Sequence, residues 1–579
     1  MLTLSPGSVV LFSGQTAKLT ATDSRGPADV VWSVNGVANG NSTVGTIDGG
    51  GNFEAPSVTE NTSVTITASS QQDPSISASA MAVIVPTGQV TSTQNLQVAQ
   101  YTLTPPVGTN VFIQFSQDMS YGMKTSTQPA PTTATPLSIY VAGMLPSTEY
   151  HMRGVLVLSD GSMVYDDDHT FTTGAIPANQ IPVVTTTTTP GLTPQPGVEM
   201  LDLIGGTTAR FVAATNLSGQ MIWSYPFTAT TSDVVQPVRV LPNGNFLVVI
   251  SPTSTAPTDT TPPVAGTIDV IREIDLAGNV IHEVTLDSVN AALATMGSNL
   301  TLGVFHHDSL VLPNGHWIVL SNMVKACADV PGCTGTTSVL GDVLVDLAPQ
   351  SDGTFQPVWT WSTFDHLDIA RAPWGLPDWT HCNAILYSAD DGNLLLSSRH
   401  QNWIMKIDYE NGAGSGKILW RLGYQGDFTL VGGTDPTDWF YAQHLPSFTT
   451  SNTTGKFGLG VMDNGNSRKF ASGVTCGTAG EPPCGYSAAR VFQVDESAMT
   501  ATLTFTYLPG EFSIWGGNVE QLANGNIEAD FNAGSPTGHS DIFEVTQDGS
   551  QQVVWHMQTS AQNAYRGYRI PSLYPGVQW

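Results

Sequence analysis

The stretch Asp275-Leu-Ala-Gly-Asn-Val-Ile-His282 puts a glycine-containing turn between two apolar strands, and it decides the fold because it recurs along the chain. A second kind of turn, Asn-Gly or Asp-Gly followed by a strand, alternates with it, as at Pro242-Asn-Gly-Asn245. Two hairpins per unit predict a four-stranded sheet. Further copies of the first turn lie at 216–223, 353–359, 409–420, 495–505 and 546–555, and further copies of the second at 313–316, 390–393 and 523–526.

Six such units within residues 197–579 predict an all-β fold, a six-bladed β-propeller, in which each sheet buries its faces against its neighbours around a ring. The alternative is a row of separate β-sandwiches. The repeat period is too short for independent domains, and the tryptophan that ends many hairpins is too regular, so the pattern favours the propeller.

The first 175 residues predict two small β-sandwich domains. Val-Trp32-Ser-Val-Asn-Gly and the glycine-rich segment 44–56 resemble a bacterial immunoglobulin-like domain, which would cover residues 1–86. Leu145-Pro-Ser-Thr-Glu-Tyr150 resembles the corner motif of a fibronectin type III module, which would cover residues 87–175. The Thr- and Pro-rich stretch that follows, 176–196, predicts a semi-extended linker.

Charge and hydropathy exclude two classes of function. The chain has 579 residues, 19 Lys and Arg against 47 Asp and Glu, and a net charge of −28, so nucleic acid is not an expected partner. No run of 18 apolar residues occurs, so we expect no membrane span. Ten of the twelve histidines and ten of the twelve arginines lie beyond residue 200, where a site for an anion is therefore expected.

The five cysteines predict two local disulfides, Cys327–Cys333 and Cys476–Cys484, with Cys382 left single. A zinc knuckle is disfavoured because neither pair has the spacing or the adjacent histidine that such a site needs. Disulfides indicate a periplasmic or extracellular protein. The start, Met-Leu-Thr-Leu-Ser-Pro, has no export-signal pattern, so we expect that the signal has been removed.

Histidines stand just ahead of the first strand of three successive units. In a propeller this strand lies innermost, so these side chains should converge on one mouth of the central channel. The next strand returns toward the same mouth after the Asp390 turn. Strand alternation predicts that only one residue of the His306-His307 pair faces the channel, and which one stays open. The candidates are His306, His307, His381, Asn383, Arg399, His400 and His444.

These motifs resemble the arylsulfate sulfotransferase family of bacterial propeller enzymes. The resemblance rests on Trp379-Thr-His-Cys-Asn383, Ser397-Ser-Arg-His-Gln401, Gln443-His444, Asp463-Asn-Gly-Asn-Ser-Arg468 and Tyr568-Arg-Ile-Pro-Ser-Leu-Tyr574. It implies transfer of a sulfuryl group from an aryl sulfate donor to a phenolic acceptor, with no cofactor. It also implies that His444 is the nucleophile of a ping-pong reaction through a sulfohistidine, and it suggests a homodimer.

The same resemblance implies that His381, Asn383, Arg399 and either His306 or His307 hold the sulfuryl oxygens. The chemistry of sulfuryl transfer agrees with these roles, because its loose transition state needs positioned cations and hydrogen-bond donors. His400 could contact substrate or only pack. Tryptophan and tyrosine rings near the histidines, Trp374, Trp379 and Tyr441, could wall an aromatic substrate.

Two other functions remain open from the sequence. Converging histidines and carboxylates could bind zinc or iron in a hydrolase or lyase, although Arg399 within the cluster opposes a cation. A propeller behind adhesin-like modules could also be a silent binding scaffold. We expect no metal at the site.

Overall fold

The structure is a computed structural model, and it describes residues 1–204, 211–225, 233–252, 268–466, 468, 485–533 and 538–579; for 233–238 only the backbone is described. The described chain is all-β. It divides into two compact units, residues 1–175 with 574–577, and residues 176–573 with 578–579. The helices among the described residues are short: α1 (Leu286–Thr295), α2 (Thr363–His366) and three turns of 3₁₀ helix at Ala178–Gln180, Cys327–Asp329 and Glu410–Gly412.

The first unit begins with three sheets, ordered β1-β4-β5, β3-β10-β9-β8 and β2-β12-β11-β6-β7. Trp32, Phe53 and Ile66 fill the core between them. The strands are β1 (Thr3–Ser5), β2 (Ser8–Phe12), β3 (Thr16–Lys18), β4 (Thr20–Asp23), β5 (Gly26–Pro27), β6 (Val30–Val34), β7 (Val37–Ala38), β8 (Gly40–Asn41), β9 (Gly45–Ile47), β10 (Asn52–Glu54), β11 (Thr62–Ser70) and β12 (Ser77–Val85).

Two further sheets complete this unit, ordered β13-β14-β18 and β16-β15-β19-β20, with β17 paired to β15 and β21 to β19. Tyr101 is buried, and its hydroxyl donates to the Asp166 carboxylate at 2.7 Å. The strands are β13 (Gln89–Ser92), β14 (Ala99–Leu103), β15 (Asn110–Ser116), β16 (Met123–Lys124), β17 (Gln128–Pro129), β18 (Leu137–Val141), β19 (Glu149–Val157), β20 (Met163–Tyr165) and β21 (His169–Thr172).

The described residues of the second unit form six antiparallel sheets, apart from one short parallel pair. The strands are β22 (Val183–Thr188), β23 (Val198–Ile204), β24 (Phe211–Thr215), β25 (Met221–Tyr225), β26 (Asp233–Val240), β27 (Phe246–Pro252), β28 (Val270–Ile274), β29 (Val280–Thr285), β30 (Phe305–Val311), β31 (Trp317–Ala326), β32 (Ser338–Pro349), β33 (Phe355–Ser362), β34 (Cys382–Ser388), β35 (Asn393–Ser398), β36 (Trp403–Ile407), β37 (Ile418–Leu422), β38 (Thr429–Val431), β39 (His444–Phe448), β40 (Lys456–Asp463), β41 (Ala488–Asp495), β42 (Thr500–Tyr507), β43 (Val519–Gln521), β44 (Ile527–Ala533), β45 (His539–Val545), β46 (Val553–Ser560) and β47 (Asn563–Ile570).

Their order is β25-β24-β23-β47, β26-β27-β28-β29, β30-β31-β32-β33, β34-β35-β36-β37, β38-β42-β41-β40-β39 and β22-β46-β45-β44-β43. All six hairpins predicted from the first turn motif are present, one in each sheet. One prediction differs from the structure: residues 183–188 of the expected linker form β22, which pairs with β46.

Apolar clusters join each sheet to the next. One cluster links β27 with β31, a second links β31 with β35, a third β35 with β40, and a fourth β41 with β44. A fifth links β45 with β23, and Trp223 stacks on Phe246 at 4.6 Å to connect β25 with β27. The second strand of the unit, β23, pairs antiparallel with its last strand, β47. The six sheets therefore contact one another in a continuous circuit.

Candidate active site

Three of the predicted histidine positions lie where the ladder of a first strand is irregular. The register shifts between Phe305 and Ser309 in β30, and again between His444 and Ser447 in β39. In β34 it shifts between Cys382 and Ala384. Bulges of this kind re-aim side chains.

The regular alternation of side chains along the strand therefore fails at the histidine pair. His307 has a positive φ of 57°, a conformation that side-chain-bearing residues seldom adopt. The His306 and His307 Nδ1 atoms lie 2.8 Å apart, so the two rings touch instead of pointing to opposite faces. His307 also contacts the rings of His381 and Tyr565, with centroids 5.0 and 5.8 Å away.

His306 lies behind His307, and its Nε2 is 3.2 Å from Asp342 Oδ1. The Asp342 carboxylate also accepts from the Thr380 hydroxyl and, at 2.8 Å, from the Cys382 amide. Asp308, the next residue along the chain, pairs with Arg239. The line Asp342, His306, His307 thus leads from a fixed carboxylate to the centre of the cluster.

His381 has a carboxylate partner of its own. It too has a positive φ, 46°, and its Nδ1 lies 2.6 Å from Asp378 Oδ2. Burial raises the pKa of Asp378 to about 6. Such a carboxylate orients an imidazole and stabilises its protonated form.

His400 is held neutral by its hydrogen bonds. Its Nδ1 donates to the Asp378 carbonyl at 2.8 Å, and its Nε2 accepts from Arg399 Nη1 at 3.0 Å. Burial lowers the pKa of His400, in agreement with a neutral ring. The exposed Trp374 stacks flat on His400 at 4.4 Å and also lies 4.8 Å from the Arg399 guanidinium.

His444 is fixed in one tautomer. Its Nδ1 lies 2.7 Å from Asn464 Oδ1. The Asn464 amide nitrogen donates to the Ser513 and Gly516 carbonyls at 2.9 and 3.1 Å, which identifies Oδ1 as the acceptor. His444 Nδ1 therefore carries the proton, and Nε2 keeps its lone pair.

Two arginines make the cluster locally cationic. Arg399 is buried and donates through Nη2 to the Ile514 carbonyl at 3.0 Å; burial lowers its pKa to about 10, so it stays charged at neutral pH. Arg566 donates to the Asn383 carbonyl at 3.0 Å. Burial, followed by the Coulombic effect of neighbouring cationic groups, lowers the pKa values of His307, His381 and His444 well below 6.5.

Several buried polar atoms of the cluster make no hydrogen bond within the described structure: Arg399 Nε, Arg566 Nε, Asn383 Oδ1 and the Tyr565 hydroxyl. A buried donor without a partner costs free energy, typically about 1–3 kcal/mol. Three of these four atoms are donors. The cluster thus has unused donors suited to an anion.

Asn383 and two of the aromatic residues predicted to contact substrate, Trp379 and Tyr441, make their described side-chain hydrogen bonds to residues other than the histidines. The Asn383 amide donates to the Gln443 carbonyl at 2.7 Å, so it supports the backbone beside His444. Trp379 is buried in an apolar cluster with Cys327 and Val330, and its indole donates to Arg371 O. The Tyr441 hydroxyl donates to Pro436 O at 2.6 Å. Their described contacts do not connect either ring to the histidines.

Sequence reasoning assigned no role to Asp342, Asp378, Asn464, Tyr565 and Arg566. Tyr565 and Arg566 lie in the last strand, β47, just ahead of the Tyr568 motif. Their meaning becomes clear only from the pairing of β47 with β23.

The cysteine prediction is confirmed for Cys327–Cys333, whose Cα atoms lie 5.4 Å apart. The predicted Cys476–Cys484 bond lies outside the described residues. Cys382 is buried and free. Burial raises the pKa of its thiol, which keeps it protonated.

Asp378, His381 and His400 lie close enough to share a cation. However, both ring nitrogens of His400 are engaged and Arg399 donates to one of them, so this group is ill suited to a metal. Among the described residues, the structure contains no helix with the length and apolar character needed to cross a membrane.

Comparison with solved structures shows only distant similarity. The Malassezia sympodialis allergen Mala s 1 is 12% identical, covers 67% of this chain and 96% of its own, and has a TM-score of 0.34. Rhamnogalacturonan lyase YesW is 13% identical with 84% and 92% coverage and a TM-score of 0.24. A Synechocystis apocarotenoid oxygenase mutant is 10% identical with 87% and 94% coverage and a TM-score of 0.28. Scores this low carry no argument about fold or function.

A search of curated proteins finds no significant match. The sequence model of the family described as Arylsulfotransferase (ASST) matches residues 187–569, a span that holds every histidine and arginine of the cluster. The chain therefore belongs to the arylsulfotransferase family.

Proposed function

We propose that this protein transfers a sulfuryl group from an aryl sulfate to a phenol through a sulfohistidine on His444. The observation that carries the proposal is the hydrogen bond from His444 Nδ1 to Asn464 Oδ1, because it leaves the Nε2 lone pair as the nucleophile. Burial and Arg399 lower the pKa of His444, so the ring is neutral and nucleophilic at pH 7.

In the first half-reaction, Nε2 attacks sulfur, the N–S bond forms and the bond from sulfur to the aryl oxygen breaks. The phenolate leaves with the electron pair of that bond. Charge on the equatorial oxygens and on the leaving oxygen is stabilised by Arg399 and by the unused donors of Arg566 and Tyr565. Asn464 stabilises the positive charge that the sulfated ring acquires.

In the second half-reaction, His381 Nε2 takes the proton of the acceptor phenol. Asp378, 2.6 Å from His381 Nδ1, stabilises the resulting imidazolium. The phenolate oxygen attacks sulfur, the N–S bond breaks, and its electron pair returns to His444. His307, backed by His306 and Asp342, adds a second polarised imidazole beside His381.

The architecture that we propose for residues 197–579 is a six-bladed β-propeller, supported by the continuous circuit of six sheets and by the β23–β47 pairing. In this arrangement β30, β34 and β39 are innermost, as their mutual contacts suggest. For residues 1–86 and 87–175 we propose immunoglobulin-like and fibronectin III-like domains. The Cys327–Cys333 disulfide supports export to the periplasm or exterior. A homodimer is also proposed.

The test is to mix the protein with 4-nitrophenyl sulfate in the absence of a phenol and to analyse its peptides by mass spectrometry. We expect one sulfate on the peptide that contains His444 and a single-turnover burst of 4-nitrophenol. His444→Ala should show neither. Sulfate on another residue, or normal turnover by the variant, contradicts the mechanism. Phenol-independent release that is lost after chelation would instead indicate a metal-dependent hydrolase.

A further inference from the structure

A second cluster of metal-binding side chains lies outside the proposed reaction site. It consists of Glu511, His539 and Asp541. His539 and Asp541 are two residues apart on β45, so their side chains leave the same face of the sheet. Glu511 comes from the segment Leu508–Asn518 that joins β42 to β43. One atom of each residue lies within 4.8 Å of the other two.

The distances among the three side chains are compatible with a common ion. His539 Nε2 is 3.0 Å from Asp541 Oδ2 and 3.7 Å from Glu511 Oε2. Ligand atoms around a tetrahedral zinc ion lie about 3.4 Å apart, since each is about 2.1 Å from the metal. Asp541 Oδ2 and Glu511 Oε2 are both buried and make no hydrogen bond, even though the imidazole is near.

Charge supports the same conclusion. Two carboxylates face only two imidazoles, His539 and His556, and among the described residues no lysine or arginine lies within salt-bridge distance of either carboxylate. Asp541 is 2% exposed, so water screens its charge poorly. A divalent cation would neutralise both acids, and the partly exposed Glu511 and His539 leave it a route from solvent.

The other oxygen of Asp541 is fixed in place. Its Oδ1 accepts from His556 Nε2 at 2.6 Å and from Gln558 Nε2 at 3.0 Å. His556 in turn stacks on Phe543 at 4.4 Å. Neighbours that orient a ligating carboxylate in this way are typical of metal sites.

We infer that Glu511, His539 and Asp541 bind one divalent transition-metal ion of the zinc class, with solvent as the fourth ligand. The ion ties the segment Leu508–Asn518 to β45. The same segment supplies the Ile514 carbonyl to Arg399 and the Ser513 and Gly516 carbonyls to Asn464. The metal therefore stabilises the wall of the reaction site without touching substrate.

The test uses the full chain without a histidine tag, stripped with chelator and titrated with Zn²⁺, with bound metal measured by mass spectrometry and calorimetry. We expect Asp541→Asn and His539→Ala to bind one ion fewer than the natural chain, and His556→Gln to weaken binding about 10- to 100-fold. The control is His282→Ala, which breaks a similar pair, His282 Nδ1 to Glu273 Oε2 at 2.8 Å; among the described residues no second carboxylate lies within salt-bridge distance of His282. Equal stoichiometry in the natural chain and the two ligand variants overturns the inference.

Glu511→Gln keeps the test decisive if substitutions in β45 impair folding, because Glu511 lies in a loop and is 38% exposed. Zn²⁺ should slow amide hydrogen exchange in residues 508–518 of the natural chain. It should not change the exchange rate of the same residues in Glu511→Gln. Co²⁺ should give the visible bands of a tetrahedral site in the natural chain and lose them in this variant. Exchange and spectra that are the same in both proteins also overturn the inference.

Discussion

Replacing Asn464 by alanine tests how the proposed nucleophile is prepared. The substitution removes the only described acceptor of His444 Nδ1, at 2.7 Å, and with it the preference for the reactive tautomer. This bond strengthens when the ring becomes cationic, and hydrogen bonds to charged groups contribute about 1.5–3 kcal/mol. At about 1.4 kcal/mol per factor of ten, kcat/KM should fall roughly 10- to 150-fold.

The assay measures release of 4-nitrophenol from 4-nitrophenyl sulfate with phenol as acceptor. It records both the initial burst and the steady-state rate. The burst rate should fall with kcat, because formation of the sulfohistidine is slowed. Asn466→Ala is the matched control, since the Asn466 amide also donates to a carbonyl of the same segment, Ile514 O at 2.8 Å. Its rate should stay within about twofold of the natural enzyme.

Asn464→Asp separates positioning from folding. A carboxylate beside His444 favours the protonated ring and raises its pKa, so the acid limb of the pH–rate profile should move to higher pH. A merely structural asparagine would give a lower rate with an unmoved profile. Near-natural burst rates in folded Asn464→Ala would refute the reasoning about the tautomer.

Five further outcomes are expected. Arg399→Lys should lower kcat about 100-fold with 4-nitrophenyl sulfate, because an ammonium cannot reproduce the guanidinium fork, and an unchanged kcat would remove Arg399 from the mechanism. Burial lowers the pKa values of His307, His381 and His444, so kcat/KM should stay level down through pH 6.5. The free energy of unfolding, measured in urea, should nevertheless fall as the pH drops below 6.5, because the unfolded chain then binds protons that the folded one does not. Added salt should lower the KM for the anionic donor by screening the net charge of −28, and a KM that rises would contradict this. Replacing Cys327 and Cys333 by serine should cost about 2 kcal/mol in thermal unfolding, as expected for a short closed loop, and an unchanged melting temperature would contradict it.

Periodic features could be predicted from the sequence because each depends on local geometry. A glycine turn between two apolar runs, such as Asp275–His282, specifies a hairpin wherever it occurs. The histidines lie at the start of β30 and β39 and directly ahead of β34, so their proximity also followed from the repeat. The expected linker shows the limit: its residues 183–188 form β22, because they pair with β46 from a distant part of the chain.

Departures from the strand period could not be predicted. The bulge in β30 and the positive φ of His307 bring two consecutive imidazoles together, whereas regular alternation separates them. Trp379 adjoins a site motif in sequence, yet its ring turns into the core that surrounds Cys327. Tyr565 contacts His307 and His444 from a distant part of the chain, and a single sequence carries no signal of those contacts.

The pairing of β23 with β47 has a consequence for when activity can first arise. Residues 198–204 must wait for residues 563–570 before their sheet is complete, and such non-local pairing is slow to form. The same last strand delivers Tyr565 and Arg566 to the histidines. A chain still being synthesised or exported would hold His444 and Arg399 but lack the closing donors, so sulfuryl transfer should begin only after the final strand has docked.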